Sequence, residues 1–223
     1  NRKDFSDFNN KVVFDVQFDK ATIASNDLNY FYNEFGKNNV FYVDTHLVGT
    51  LNNFTTYNLK LVDKNQSEII GTANFRNLFG KGNQEFYMKG NFDRITSNYE
   101  DLKSILPRIL GNNLPSVLAK LGNVNIAGDV ELTQKYINAN VTMLSQLGYL
   151  EGNLAMQNIN NIDNASYQGN IKLDAFDLGT LLSQNDIGKA SLDLDVDGKG
   201  FTQKLLNTAI KGKIEKFYYN GYN

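Results

Sequence analysis

The stretch DLDVDGKG, which begins at Asp193, has the residue types of a calcium-binding loop. An EF-hand loop places oxygen ligands at its first, third and fifth positions, a glycine at its sixth and a bidentate glutamate at its twelfth. The three aspartates and Gly198 match the first half of this pattern, but the twelfth position is Lys204. Because successive side chains of a strand point to opposite faces, the same residues fit a β-strand whose aspartates face water. The pattern favours the strand.

His46 is the one histidine of the chain, and it lies two residues after Asp44. On a strand the two side chains would share a face, and an aspartate–histidine pair is suited to general-base catalysis. No nucleophile accompanies the pair, the chain has no cysteine, and its carboxylates do not form the spaced pair that a glycosidase needs. We therefore predict a solvent-facing histidine, no catalytic residue, no metal ligand, no cofactor and no enzymatic activity.

The elements that carry these residues are predicted to be strands. Apolar and polar residues alternate along most of the 223-residue chain, as they do from Val12 to Phe18 and from Leu192 to Val196. This period is typical of antiparallel strands with one face in water, and the Asn and Gly residues between the segments are typical of turns. The sequence predicts a mostly β fold built on a long antiparallel sheet.

One segment has helical spacing instead. Residues 99–121 carry apolar residues three and four positions apart, and Gly111 and Pro115 divide the segment into a short helical pair. We therefore predict three parts, namely a sheet section over residues 1–98, a helical insertion over 99–121 and a second sheet section over 122–223. The helical pair would plug one end of the sheet, cover its face as a lid, or mark a junction.

Composition excludes several classes of partner. The net charge of −2 gives no electrostatic footprint for nucleic acid. No apolar run reaches the ~18 residues that a membrane-spanning helix needs. The first residues are polar and charged and include no methionine, so we expect an internal piece of a longer chain.

The apolar stripe raises the question of what covers it. So many strands need a second sheet, closure into a barrel, or a bound apolar ligand. A long sheet curled into a U would place its apolar residues inside a trough, where each buried methylene of an acyl chain contributes ~0.8 kcal/mol. A closed β-sandwich with a structural role is the alternative.

Several segments of the second half resemble TamB-like translocation and assembly module proteins of the AsmA-like superfamily. They are LPSVLAKLGNVNIAGDVEL from Leu114, LGYLEGNLAMQ from Leu147, YQGNIKLDAFDLGTLL from Tyr167, IGKASLDLDVDGKGF from Ile187 and LLNTAIKGKIEKFYYNGYN from Leu205. The resemblance extends from Leu114 to the end of the chain. The first half matches in its alternation and in one strand, YNLKL.

This resemblance implies a taco-shaped sheet with an apolar interior. It also implies an internal periplasmic segment of a protein that is anchored in the inner membrane of a Gram-negative bacterium by an N-terminal helix. Such proteins are linked to phospholipid transport towards the outer membrane and to outer-membrane protein assembly. Their partner is a TamA-type barrel, reached through a C-terminal region.

Together, the apolar stripe and the resemblance predict a conduit that holds phospholipid acyl chains between the two membranes. The alternative is a scaffold that pairs its strands with those of outer-membrane proteins. The predicted lining residues of the conduit share one strand face: Val124, Ile126, Val130, Val141, Met143, Leu154, Met156, Ile171, Leu173, Leu192, Leu194, Val196 and Ile214.

Overall fold

The structure is a computed structural model, and it describes residues 7–31, 36–78, 85–105, 114, 116–161, 163–201 and 205–222. Its centre is one antiparallel sheet of eleven strands in which each strand pairs with the next one along the chain. The strands are β1 (Val13–Ala24), β2 (Val40–Thr50), β3 (Phe54–Asp63), β4 (Glu68–Arg76), β5 (Tyr87–Asn98), β6 (Asn123–Thr133), β7 (Tyr136–Ser145), β8 (Gly148–Gln157), β9 (Ser166–Asp177), β10 (Ile187–Lys199) and β11 (Asn207–Tyr219).

This order confirms the predicted mostly β, antiparallel fold. The described sheet does not close, because β1 and β11 each have one neighbouring strand. β10 contains the three aspartates of DLDVDGKG, so the strand interpretation of that stretch is confirmed as well.

Helical segments are few and short. They are α1 (Phe8–Lys11), α2 (Ser25–Phe31), α3 (Tyr99–Ile105), a 3-10 helix (Ser116–Leu121) and α4 (Leu178–Leu182). The predicted helical segment 99–121 therefore begins as α3 and ends in the 3-10 helix. The proposed break at Gly111 and Pro115 lies outside the described residues. In the described part of the chain, no helix is both long and apolar enough to cross a membrane.

Four of these segments lie at the same end of the sheet. α2 follows β1, α3 follows β5, the 3-10 helix precedes β6 and α4 links β9 to β10. In a meander, all of these connections fall at one end of the strands. We call it the helical end.

The core consists of separate clusters along the sheet. Two lie at the helical end, one around Phe41 and Leu59 and one around Phe176 and Leu192. A third, around Phe86 and Ile159, lies at the opposite end. Among the described residues, the largest side chains with less than 2% exposure are Phe176 and Ser25.

The cluster around Phe176 is covered by the 3-10 helix and α4. Leu121 of the 3-10 helix is buried in it, and Leu118 and Leu178 pack against it. The Lys120 ammonium ties the two helices together by donating to the carbonyl oxygen of Leu181 at 2.7 Å and to the hydroxyl of Ser183. The 3-10 helix and α4, which we call the helical cap, therefore shield the apolar side chains of this cluster from water.

Candidate functional site

The strand register aligns apolar side chains into rows that run across the sheet. Directly opposite residues on neighbouring strands lie about 5 Å apart and have the same facing. One such row passes through Val130, Ala139, Leu154, Gly169 and Val196. One face of the sheet therefore carries a continuous apolar surface that the alternation in the sequence predicts strand by strand.

Two adjacent rows form what we call the central belt of this face. The first row is Ala73, Gly90, Val130, Ala139, Leu154, Gly169, Val196 and Ile210, and the second is Gly71, Phe92, Gly128, Val141, Gly152, Ile171, Leu194 and Gly212. The belt crosses β4 to β11, which is a path of about 34 Å at the usual strand spacing of ~4.8 Å.

The belt is unevenly covered. Ala73, Phe92 and Val196 are buried, with 1%, 8% and 9% exposure. Val130, Val141 and Leu154 are partly exposed, and they belong to none of the three buried clusters. Ile210, where the first row meets the edge of the sheet, is 58% exposed. The described residues thus cover the apolar face at its ends and leave its middle accessible.

The predicted lining residues fall into groups that the sequence did not separate. Val124, Leu173 and Leu192 are buried in the cluster at the helical end, and Ile126, Met143, Ile171 and Leu194 pack against that cluster. Met156 packs against the cluster at the opposite end. Val196 is 9% exposed and Ile214 is 68% exposed. The remaining three, Val130, Val141 and Leu154, make up the uncovered middle.

Glycines break the belt into alternating large and absent side chains. Gly152 lies directly between Val141 and Ile171, and a methyl group added to it would lie 3.4 Å from its nearest neighbour, the Leu150 Cδ2 atom. That distance is an ordinary van der Waals contact. Gly152 is itself buried, and the space beside it therefore has room for a methyl group.

Gly169 is different, although it lies in the neighbouring row. Its φ is +148°, and a Cβ atom there would lie 1.9 Å from the carbonyl oxygen of Asn153 on β8. Only glycine allows the two backbones to approach so closely. Gly169 thus sets the shape of the sheet, whereas Gly152 only sets the shape of its surface.

The aspartates of β10 lie on the opposite, polar face. Asp193 and Asp195 are directly opposite Lys213 and Lys211 of β11. On the other side, the Asn170 amide donates to Asp193 at 2.9 Å and to Asp195 at 3.1 Å. Their neighbours are lysines and amide donors, which offer no further ligands to a cation. No cluster of metal-ligating side chains occurs among the described residues.

His46 pairs across strands rather than along its own strand. Its Nε2 atom lies 2.6 Å from Asp15 Oδ1 on β1, and its ring lies 5.9 Å from that of Tyr57. Asp44 instead accepts from the backbone N–H of Lys20, which lies where the β1–β2 register shifts between Phe18 and Ala21. The pair that the spacing allowed is therefore not formed, and the His46 side chain is 42% exposed, in agreement with the predicted solvent-facing histidine.

Tyr136, on the polar face, has a raised pKa, which makes its phenol harder to deprotonate. Burial and the hydrogen bond that Tyr136 donates to Glu131 at 2.9 Å raise the pKa of Tyr136 to about 12. The group stays protonated at neutral pH. It stabilises the sheet and supplies no nucleophile.

The alternation predicted the apolar face but not the glycines within it. Gly90, Gly128, Gly152 and Gly169 each occupy a position where the period-2 pattern requires an apolar side chain.

Comparison of the chain with protein-family models, curated proteins and solved structures finds no match. The resemblance to TamB-like proteins therefore stays a hypothesis.

Proposed function

We propose that this chain binds acyl chains on the central belt and performs no catalysis. The observation that carries the proposal is the partly exposed middle of the apolar face around Val130, Val141 and Leu154. An apolar surface that stays in contact with water is unfavourable, and contiguous apolar patches of this kind mark binding sites. An acyl chain would remove both its own methylenes and these side chains from water.

The geometry of the belt supports an extended ligand over a compact one. The apolar rows run across eight strands without a polar interruption. An acyl chain makes no hydrogen bonds, so it needs only such a continuous wall. All eleven described strands belong to one sheet, so no second described sheet covers the belt as in a β-sandwich.

The cellular role is the broader part of the proposal. The resemblance of the second half supports a TamB-like segment in the periplasm, part of a bridge along which phospholipids pass between inner and outer membrane. In that setting the sheet would curl into a trough with the belt inside. An inner-membrane anchor and a TamA-type barrel would be contributed by, or bound through, other regions of the protein.

The test compares two aspartate substitutions on neighbouring residues of β8. Leu154→Asp places a charge in the belt, between Ala139 and Gly169, whereas Asn153→Asp places the same charge on the polar face, between Asn140 and Asn170. We expect Leu154→Asp to abolish binding of fluorescent palmitic acid and co-purification of phospholipid in native mass spectrometry. Asn153→Asp is expected to bind as the unmodified chain does.

Folding is the control that makes this comparison decisive. Both variants are first checked for the cooperative unfolding and far-ultraviolet circular dichroism of the unmodified chain. Leu154 packs in none of the buried clusters, so the charge is expected to leave the fold intact. Equal binding by two folded variants, or no binding of palmitic acid by the unmodified chain, would refute the acyl-binding site.

A further inference from the structure

A row of amide and carboxylate side chains crosses the polar face of the sheet. Each member lies directly opposite the next one on the neighbouring strand, at the usual strand spacing of ~4.8 Å. The row, which we call the amide row, consists of Asn91, Asp129, Asn140, Asn153, Asn170 and Asp195. Its strands, β5 to β10, each pair with a neighbour on both sides. A ligand of this face therefore meets side chains rather than free backbone groups.

The middle of the amide row lies in a depression of about 330 Å³. The polar side chains that line this depression are Lys89, Asp129, Glu131, Asn138, Asn140 and Asn153. The three asparagines are exposed, and their amides form no hydrogen bond with the other described residues. Their N–H and C=O groups are therefore left to water rather than used within the sheet.

The charges of the depression disfavour an ionic ligand. The Asn91 amide donates to Asp129 at 2.9 Å, and the Tyr136 hydroxyl donates to Glu131 at 2.9 Å. Lys89 lies directly opposite Glu131. A nucleic acid or another polyphosphate needs a basic surface, and here two carboxylates stand against one ammonium group. The polar groups that remain without a partner are uncharged amides.

Uncharged amides fit a polyhydroxylated ligand. An asparagine amide offers two N–H donors and a C=O acceptor. A sugar hydroxyl also both donates and accepts, so a line of hydroxyls matches a line of amides. The strand faces of other β folds bind oligosaccharides.

An aromatic pair continues the amide row towards β2. The register places Tyr57 of β3 at Thr72 of β4, which lies directly opposite Asn91. Tyr57 is 44% exposed, and its ring lies 5.9 Å from that of His46. The face of an aromatic ring is apolar and electron-rich, which suits the C–H face of a sugar ring. From β3 to β7 the path is about 19 Å at the usual strand spacing, so a chain of several sugar units would reach both features.

We propose that the polar face binds a neutral, extended glycan along the amide row. The amides of Asn138, Asn140 and Asn153 bond to its hydroxyls, and Tyr57 packs against one of its sugar rings. This site lies on the face opposite the central belt, so it goes beyond the proposed acyl-chain binding and does not depend on it.

The test uses cellohexaose and chitohexaose, two neutral and extended β-linked hexamers, in isothermal titration calorimetry with the unmodified chain. We expect at least one of them to bind. The double variant Asn138→Ala/Asn140→Ala is expected to weaken that binding about tenfold, the effect of losing two hydrogen bonds of ordinary strength.

The matched control removes two other amides from the same face. Asn123 and Asn125 lie on β6 nearer the helical end and outside the depression. Asn123→Ala/Asn125→Ala is expected to bind as the unmodified chain does. The four asparagines are exposed, so both double variants are expected to keep the fold, which far-ultraviolet circular dichroism checks.

A second pair of variants tests the aromatic contact. Tyr57→Ala is expected to weaken glycan binding about three- to tenfold through the loss of one stacking contact. Tyr42→Ala removes another exposed tyrosine, on β2, and is expected to have no effect. No binding of either hexamer by the folded unmodified chain would overturn the proposal. Equal binding by the two folded asparagine double variants would overturn it as well.

Discussion

The helical end and the central belt of the apolar face are built from the same kind of strand sequence, yet they differ in burial. Leu173 and Leu192 at the helical end are each 8% exposed beneath the 3-10 helix and α4. Leu154 in the belt comes from the same alternation, but it is partly exposed and does not belong to the cluster that the described helices cover. Alternation therefore determines which face is apolar, and the connections between strands determine which part of that face is core.

This difference separates two roles of one surface. Where helices cover it, the apolar face stabilises the fold through packing. Where they do not, the same residue types stay partly exposed, and the proposed acyl chain would bind there. Matched substitutions test this difference. One pair compares Phe176 beneath the helices with Leu154 in the belt, and the other compares two belt glycines, Gly169 and Gly152, that differ in the space around them.

The largest effect is expected for Phe176→Ala. Phe176 is 1% exposed and lies in the cluster beneath the helical cap. Its truncation is expected to lower the free energy of unfolding by about 3–5 kcal/mol, because it leaves a cavity. Leu154→Ala in the belt is expected to cost only about 1 kcal/mol, since its side chain keeps contact with water. Urea denaturation measures both, and equal losses would show that the belt is packed like the core.

An intermediate effect is expected from two Gly→Ala substitutions in adjacent rows. Gly169→Ala is expected to destabilise the protein by about 1–3 kcal/mol, because its positive φ and the nearby Asn153 carbonyl leave no room for a methyl group. Gly152→Ala is expected to raise stability by about 0.5–1 kcal/mol, because it restricts the unfolded chain and fits the gap. Thermal unfolding of the two variants checks the signs. A loss at both positions would mean that the gap at Gly152 is closed by neighbouring side chains.

The smallest effect concerns Asp177, the N-cap residue of α4, and depends on pH. Asp177 begins α4 and accepts from the Thr180 N–H at 2.9 Å and from the Thr180 hydroxyl at 2.8 Å. The backbone hydrogen bond and then the side-chain hydrogen bond lower the pKa of Asp177 below its ordinary value of 3.8. A lowered pKa means that this stabilisation is present above 3.8 and is lost as the pH falls through the folded-state value.

The measurement for Asp177 is stability against pH in the unmodified chain and in Asp177→Asn. Asparagine still caps a helix but does not titrate, so the variant is expected to lack this part of the acid-induced loss. Asp177→Ala removes the cap at every pH and is expected to cost about 0.5–1 kcal/mol. Identical acid-induced losses in the unmodified chain and Asp177→Asn would show that the cap does not contribute to the pH dependence.

The candidate site could be predicted from the sequence only in part. The thirteen predicted lining residues do lie on one face of the sheet, because alternation fixes facing locally. Their separation into covered residues such as Leu192 and uncovered ones such as Leu154 depends on where α4 and the 3-10 helix pack. That packing joins residues far apart in the chain, and no local pattern specifies it.

His46 shows the same limit on the polar face. Its spacing from Asp44 allowed a pair, but the pairing of β2 with β1 brings Asp15 to the ring and the backbone N–H of Lys20 to Asp44 instead. By itself the sequence determined the strands, their two faces and the strand nature of DLDVDGKG, because period-2 alternation and turn residues act over a few neighbours. The tertiary structure alone decided the register across strands, the cover at the helical end and the partial exposure of Val130, Val141 and Leu154. Each of these depends on pairing between segments that the chain brings together only when it folds.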